Sequence, residues 1–293
     1  MIGMKVLAVA WLALLYWSGA TLSAQPVGKS MGRWKGLDAE SMKANREGGL
    51  EYVEVTINDF WRPAKSHAEI YERADRALAW IEASGLKVWS VHLPFSRTLD
   101  ISVLDDKARA ENVAFMKEMI ALAGRFHPRK LVLHPSSEPI APEEREERLR
   151  NSHRSIGKLA PEAKRIGATL CVENLPRTCL GQTGEEMLRL IDGYGDVRLC
   201  FDTNHLFFQS HADYLKAVGN RIGTVHLSDY DFENECHWIP GKGKIDWGEL
   251  WNGILRSGYD GILMFECYGE PDELLGARKL ILDSAEKARG HER

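Results

Sequence analysis

Thr169-Leu-Cys-Val-Glu173 is a short apolar run that ends on a carboxylate. The same design recurs downstream in Val197-Arg-Leu-Cys-Phe-Asp202, Ile222-Gly-Thr-Val-His226 and Gly261-Ile-Leu-Met-Phe-Glu266. Apolar runs of this length, separated by stretches of helical periodicity, read as buried parallel strands with helical crossovers. Parallel strands of one sheet share a C-terminal edge, so Glu173, Asp202, His226 and Glu266 are expected to converge there. Two Glu, one Asp and one His form an oxygen-rich set with a single imidazole. Such a set suits one divalent ion, Mn²⁺, Mg²⁺, Co²⁺ or Zn²⁺.

Upstream, the alternation continues. Strands are expected at Tyr52–Ile57, Val88–Leu93 and Lys130–His134, with helices over Leu37–Gly48, His67–Ser84, Asp105–Phe126 and Glu143–Ile166. Downstream helices are expected over Gly184–Tyr194, Ala212–Val218, Trp247–Ser257 and Glu273–Arg289. No Gly-x-Gly-x-x-Gly turn follows any strand, which argues against an open dinucleotide-binding sheet. Ligand-type residues at the ends of many successive strands favour a closed barrel. The expected fold is therefore α/β, a single (βα)₈ TIM barrel over residues 25–293. Its first strand is poorly defined, with Gly32-Arg-Trp-Lys35 a poor candidate.

Residues 1–24 read as a signal peptide. Met1 to Lys5 is short and basic, Val6 to Ala20 is almost wholly apolar, and Thr21-Leu-Ser-Ala24 offers a small-residue cleavage site. The apolar run is shorter than the roughly 20 residues of a spanning helix, so no stable membrane insertion is expected after cleavage. The expected location is periplasmic or extracellular. The 293-residue chain carries a formal net charge of −4 and has no basic tract, which opposes a nucleic-acid partner. Five cysteines are too few and too scattered for a disulfide scaffold. Cys171 and Cys200 each lie two residues before a proposed ligand, on the same strand face, which leaves a pairing between them open.

Further polar residues sit at strand ends. His92, His134, His205, His226 and His237 are half of the ten histidines, and all fall on one expected rim. Beyond His226, the other four are candidates for substrate binding or additional metal. Glu54 is a candidate for holding a substrate hydroxyl, and Trp61 for stacking on a sugar ring. The segment His237–Trp247 reads as a loop closing over the site. Its Gly241-Lys-Gly243 follows no strand and reads as a tight turn that lets backbone approach a ligand.

These motifs resemble the xylose-isomerase-like barrel superfamily, which holds sugar isomerases and epimerases, inosose dehydratases and endonuclease IV. The resemblance is carried by Glu173-Asn, Asp202-Thr-Asn-His205, His226-Leu-Ser-Asp229, Pro240-Gly-Lys-Gly243 with Asp246-Trp247, and Glu266. It implies that Glu173, Asp202, His226 and Glu266 hold one divalent ion, with Glu173 and Glu266 doubling as acid and base. The implied activity is isomerisation or epimerisation of a ketose or keto-sugar through an enediolate. The alternative is a lyase or dehydratase acting on a keto-sugar or oxidised glycoside. Ketose 3-epimerases carry Arg where His237 stands. With His237 and Glu235, the rim can also be placed on the three-zinc ligand set of endonuclease IV, which implies a phosphodiesterase as a third reading. The expected partner is a small carbohydrate, and a homo-oligomer is left open.

Overall fold

The computed structural model describes residues 25–32 and 37–291. The signal-peptide segment lies outside the described residues. Eight parallel strands alternate with helices in chain order: β1 (Val27–Ser30), α1 (Ala39–Glu47), β2 (Tyr52–Thr56), α2 (Asn58–Trp61), α3 (His67–Ser84), β3 (Lys87–His92), α4 (Asp106–Ala123) and β4 (Lys130–Leu133). Then follow α5 (Arg145–Arg165), β5 (Thr169–Glu173), α6 (Gly184–Ile191), β6 (Arg198–Asp202), α7 (His211–Val218), β7 (Ile222–His226), α8 (Trp247–Arg256), β8 (Leu263–Phe265) and α9 (Pro271–His291). The strand order β7-β6-β5-β4-β3-β2-β1-β8 is that of a (βα)₈ TIM barrel. Between β7 and β8 it closes through a bridge at Leu227 and Phe265, where Leu227 N donates to Met264 O at 2.9 Å.

The first strand falls at Val27–Ser30, upstream of Gly32–Lys35, of which residues 33–36 lie outside the described set. Gly, Lys and Ser are weak strand formers, but both neighbours impose the conformation: Gly28 pairs with Tyr52 on one side and Met264 on the other. A Cβ on Gly28 would lie 2.8 Å from Ile262 Cδ1 and Met264 Cε, so a larger residue there would have to displace the tips of two side chains.

Helix ends follow local chemistry. Ser66 caps α3 through a bond from Glu69 N, and the left-handed Gly85 ends it at φ 78°. Asp246 caps α8, accepting from Gly248 N at 3.0 Å and Glu249 N at 3.1 Å. Apolar helix faces pack on the outside of the barrel, with Ile156, Leu190, Trp251 and Ile281 fully buried. Small apolar layers fill the barrel below the C-terminal rim. One holds Val132, Cys171 and Cys200, and another holds Trp89, Ile262 and Met264. All five cysteines are free thiols. Burial pushes Cys171 up to about 12 and Cys200 well above its ordinary value, so both behave as packing atoms.

Candidate metal centre

Strand register brings the expected ligands together. Glu173 is opposite Cys200, and Asp202 is opposite His226. Ligand atoms of Glu173, Asp202, His226 and Glu266 all lie within 4.8 Å of one another. His226 is the hub. Its Nε2 is 3.0 Å from Glu54 Oε2, and its Nδ1 is 3.0 Å from both Glu173 Oε1 and Glu266 Oε2.

The tautomer follows from what lies below. Glu54 is fully buried and accepts from Ser30 Oγ at 2.9 Å and Ser90 Oγ at 2.7 Å. Burial works to raise its pKa, but His226 and His92 outweigh that and hold it below the ordinary carboxylate value. An ionised Glu54 only accepts, so His226 Nε2 carries the proton. Its Nδ1 faces a cage of carboxylates; burial works to lower the His226 pKa, but the anionic groups around the ring hold it well above the ordinary imidazole value, so that position carries either a proton or a cation. Lone pair opposite carboxylate is repulsive unless a proton or a cation lies between them.

The carboxylates carry a matching signature. Asp202 Oδ2 and Glu266 Oε2 are buried without a hydrogen-bond partner. Burial, with Glu266 and Glu173 adding to it against His205, pushes Asp202 up to about 7. Burial also works to raise Glu173, but His226, His134 and His92 hold it well below the carboxylate range. Uncompensated buried carboxylates are costly, and a divalent cation at the Nδ1 lone pair removes the cost. The donor set fits the expected ion.

Two further groups flank this one. His92 Nδ1 donates to Leu93 O at 2.9 Å, and its Nε2 lies 3.2 Å from Glu173 Oε2. His134 Nε2 reaches the same oxygen at 3.0 Å, with its ring stacked on Phe95 at 4.2 Å. On the other side, His205 Nδ1 donates to Asn174 O at 2.9 Å and His237 Nδ1 to Glu266 O at 3.1 Å. Their Nε2 atoms face Glu235 Oε1 at 3.7 and 3.1 Å. Arg177 pairs with the other oxygen of Glu235 and, at 2.8 Å, with Glu138.

The remaining expectations are met differently. Glu54 lies beneath His226, where it orients a ligand rather than meeting a substrate hydroxyl. Trp61 packs on α2 against Phe115 of α4, ring centroids 5.6 Å apart, as a wall residue. Gly241 and Gly243 approach a carboxylate of their own chain. Gly241 N donates to Asp229 Oδ2 at 2.8 Å, and a Cβ on Gly243 would lie 2.3 Å from Asp229 Oδ1. Ile245 N and Trp247 Nε1 complete the grip on Asp229, which anchors the loop after β7.

Supporting residues brace the centre. Ser30 and Ser90 hold Glu54. Asn174 zips β5 to β6, accepting from Asp202 N at 2.8 Å and donating to Asp202 O at 2.9 Å. A polar residue on the inward face of an apolar strand was the available signal for Ser90.

Barrel and centre together define a (βα)₈ protein with a carboxylate–histidine metal-type site at its C-terminal mouth. The Xylose isomerase-like TIM barrel family matches residues 43–289, and the chain belongs to that family. It is 24% identical over 243 residues to a D-psicose 3-epimerase of Agrobacterium fabrum, covering 78% of each chain. It is 30% identical over 112 residues to an inosose dehydratase of Bacillus velezensis, covering 31% of this chain and 37% of that one. It spans 64% and 63% of the length of two uncharacterized proteins of Methanocaldococcus jannaschii, at 21% and 26% identity and over 55% and 60% of its own length. A solved D-tagatose 3-epimerase-like protein shares the fold, with a TM-score of 0.73 and 20% identity over 92% of this chain and 100% of that one.

Proposed function

We propose that the protein is a divalent-metal-dependent isomerase or epimerase acting on a ketose or keto-sugar. One observation carries this reading: His226 Nδ1 faces Glu173, Asp202 and Glu266, two of which hold unpartnered buried oxygens. Relatives named as sugar epimerases support it. When bound by these four residues, a divalent cation polarises adjacent carbonyl and hydroxyl oxygens and acidifies the C–H beside them.

Proton movement falls to the chain itself. Glu173, held ionised by three histidines, and Glu266, whose side chain is the more exposed at 17% against 1%, are the two mobile-proton carboxylates. One removes the proton next to the carbonyl and the other returns it to give the isomer. His205 and His237 present Nε2 atoms to the same mouth, where they orient substrate hydroxyls.

A lyase reading rests on the inosose dehydratase relatives. It shares the first proton removal, after which a carboxylic acid protonates a departing β-oxygen. A phosphodiesterase reading is favoured by the two flanking histidine–carboxylate groups, against which stands the acidic chain. Metal analysis of the purified protein, followed by incubation with keto-sugars in D₂O, separates the three. The expected result is one cation per chain with deuterium appearing in an isomeric sugar. Elimination of water or an aglycone would replace the isomerase by the lyase, and three cations per chain would promote the phosphodiesterase.

Export belongs to the same proposal and rests on the sequence of residues 1–24. No helix among the described residues is long and apolar enough to cross a membrane. Amino-terminal sequencing of the protein made in a bacterial host is expected to start at Gln25. A mature chain that still begins at Met1 would end the export proposal.

A further inference from the structure

At the other end of the barrel from the metal centre, the same strands present a second polar layer. Lys130 and Val132 share one face of β4, Thr169, Cys171 and Glu173 one face of β5, and Arg198, Cys200 and Asp202 one face of β6. Val132, Cys171 and Cys200 pack together inside the barrel, so Lys130, Thr169 and Arg198 form the layer beneath them. Register agrees, with Lys130 opposite Thr169 and Cys171 opposite Arg198. Barrel layers are usually filled by branched apolar side chains, and a floor of two cations departs from that pattern.

The local packing accommodates them. A Cβ on Gly223 would lie 2.6 Å from Arg198 Cβ and 2.9 Å from Cys171 Sγ, so the glycine makes room for the Arg198 stem beside the thiol. Burial raises the Cys171 thiol, and Lys130 and Arg198 both pull against it, which places their charges near the barrel floor.

A cavity of about 700 Å³ opens below this layer, on the N-terminal face, with Lys130, Thr169, Arg198 and Asn220 in its walls. Among the described residues the Lys130 ammonium has no ion pair or hydrogen bond. Arg198 donates only through Nη1, to Gly195 O at 2.8 Å and Val197 O at 3.5 Å. Thr169 Oγ1 and the Asn220 side-chain amide have no partner among the described residues either. Lys164 and Asp196, also in the wall, offset each other across 2.8 Å. Asp260 is the remaining carboxylate of the lining, so Lys130 and Arg198 leave the cavity with an excess of positive charge.

Donors without acceptors, in a cavity of this sign, select an anion. A phosphate-type oxyanion carries about −1.5 to −2 at pH 7, which suits two cations. Its oxygens accept from guanidinium and ammonium, and from hydroxyl and amide as well. A neutral sugar would leave both cations without a counter-charge, and a metal ion would be repelled.

We propose that this floor cavity binds a phosphate-type oxyanion, gripped by Lys130 and Arg198 with Thr169 and Asn220 as further donors. The layer of Val132, Cys171 and Cys200 separates it from the metal centre, and the proposal does not depend on what that centre does.

Isothermal titration of the metal-loaded protein with inorganic phosphate, and separately with glycerol phosphate, tests it in the wild type, Lys130→Gln, Arg198→Gln and Arg198→Lys. The wild type is expected to bind one anion per chain. Lys130→Gln and Arg198→Gln are each expected to weaken binding about tenfold, and Arg198→Lys to recover part of the loss. Binding of inorganic phosphate, with or without the ester, identifies the free anion as a sufficient ligand. Binding of the ester alone, with the same sensitivity to the variants, assigns the cavity to a phosphorylated metabolite. A wild type that binds neither overturns the site, whether or not the variants fold. Binding unmoved in every variant places the anion elsewhere, on the metal centre, and overturns it too. Altered divalent-metal affinity in the two Gln variants, without phosphate binding, gives the cations the role of offsetting the centre's carboxylates and overturns the inference.

Discussion

Glu173→Gln is expected to lower turnover by about 10³-fold or more, since it removes both a proton carrier and a charge that organises the centre. Glu173 is met by His226 on Oε1 at 3.0 Å and by His92 and His134 on Oε2 at 3.2 and 3.0 Å. An amide keeps the volume but brings no charge to balance the surrounding rings or a cation, and it cannot take a proton from carbon. Glu266→Gln is expected to give a loss of the same order, because the pair acts as a unit. Cys171→Ala is the comparison. Its sulfur packs with Val132 and Cys200 on the barrel floor, and this variant is expected to keep most of its activity. Steady-state rates on a keto-sugar, with thermal melting to register unfolding, decide the matter. Small and equal losses in all three variants would remove the catalytic assignment.

The second large effect is expected from a residue that touches no substrate. Glu54→Gln should weaken divalent-metal affinity by about 10–100-fold, the usual result of removing an outer partner of a ligating histidine. The reason lies in the stack from Ser30 and Ser90 through Glu54 to His226. Glu54 keeps a His226 proton on Nε2 and so leaves Nδ1 as the nitrogen open to a cation. A neutral amide holds the ring in place but no longer sets its tautomer by charge. Competition titration against a chelator measures this directly, without reference to activity. An affinity within twofold of wild type would show that the carboxylates alone orient the imidazole.

Much of the architecture could be read from local pattern. Seven strands are apolar runs bounded by turn residues, and helices such as His67–Ser84 carry their caps in the sequence, with Ser66 before and Gly85 after. The first strand escaped because three of the four residues of Val27-Gly-Lys-Ser30 are weak strand formers. Pairing on both edges makes it a strand. Trp61 and Gly241-Lys-Gly243 show the opposite limit. Residue type suggested ligand contact, and only the structure adds that Trp61 packs beside Phe115 and Gly241 against Asp229.

The order of strands and the residue type at each strand end are one-dimensional facts, and they placed Glu173, Asp202, His226 and Glu266 on a common rim without any coordinates. Which ring nitrogen is protonated, which carboxylate oxygens lack partners, and that Glu54 sits below the centre rather than in it are three-dimensional facts. They depend on the stagger between neighbouring strands and on hydrogen bonds across residues as distant in sequence as Glu54 and His226. A strand's own pattern says which face a side chain takes. Only closure of the barrel determines what meets it there.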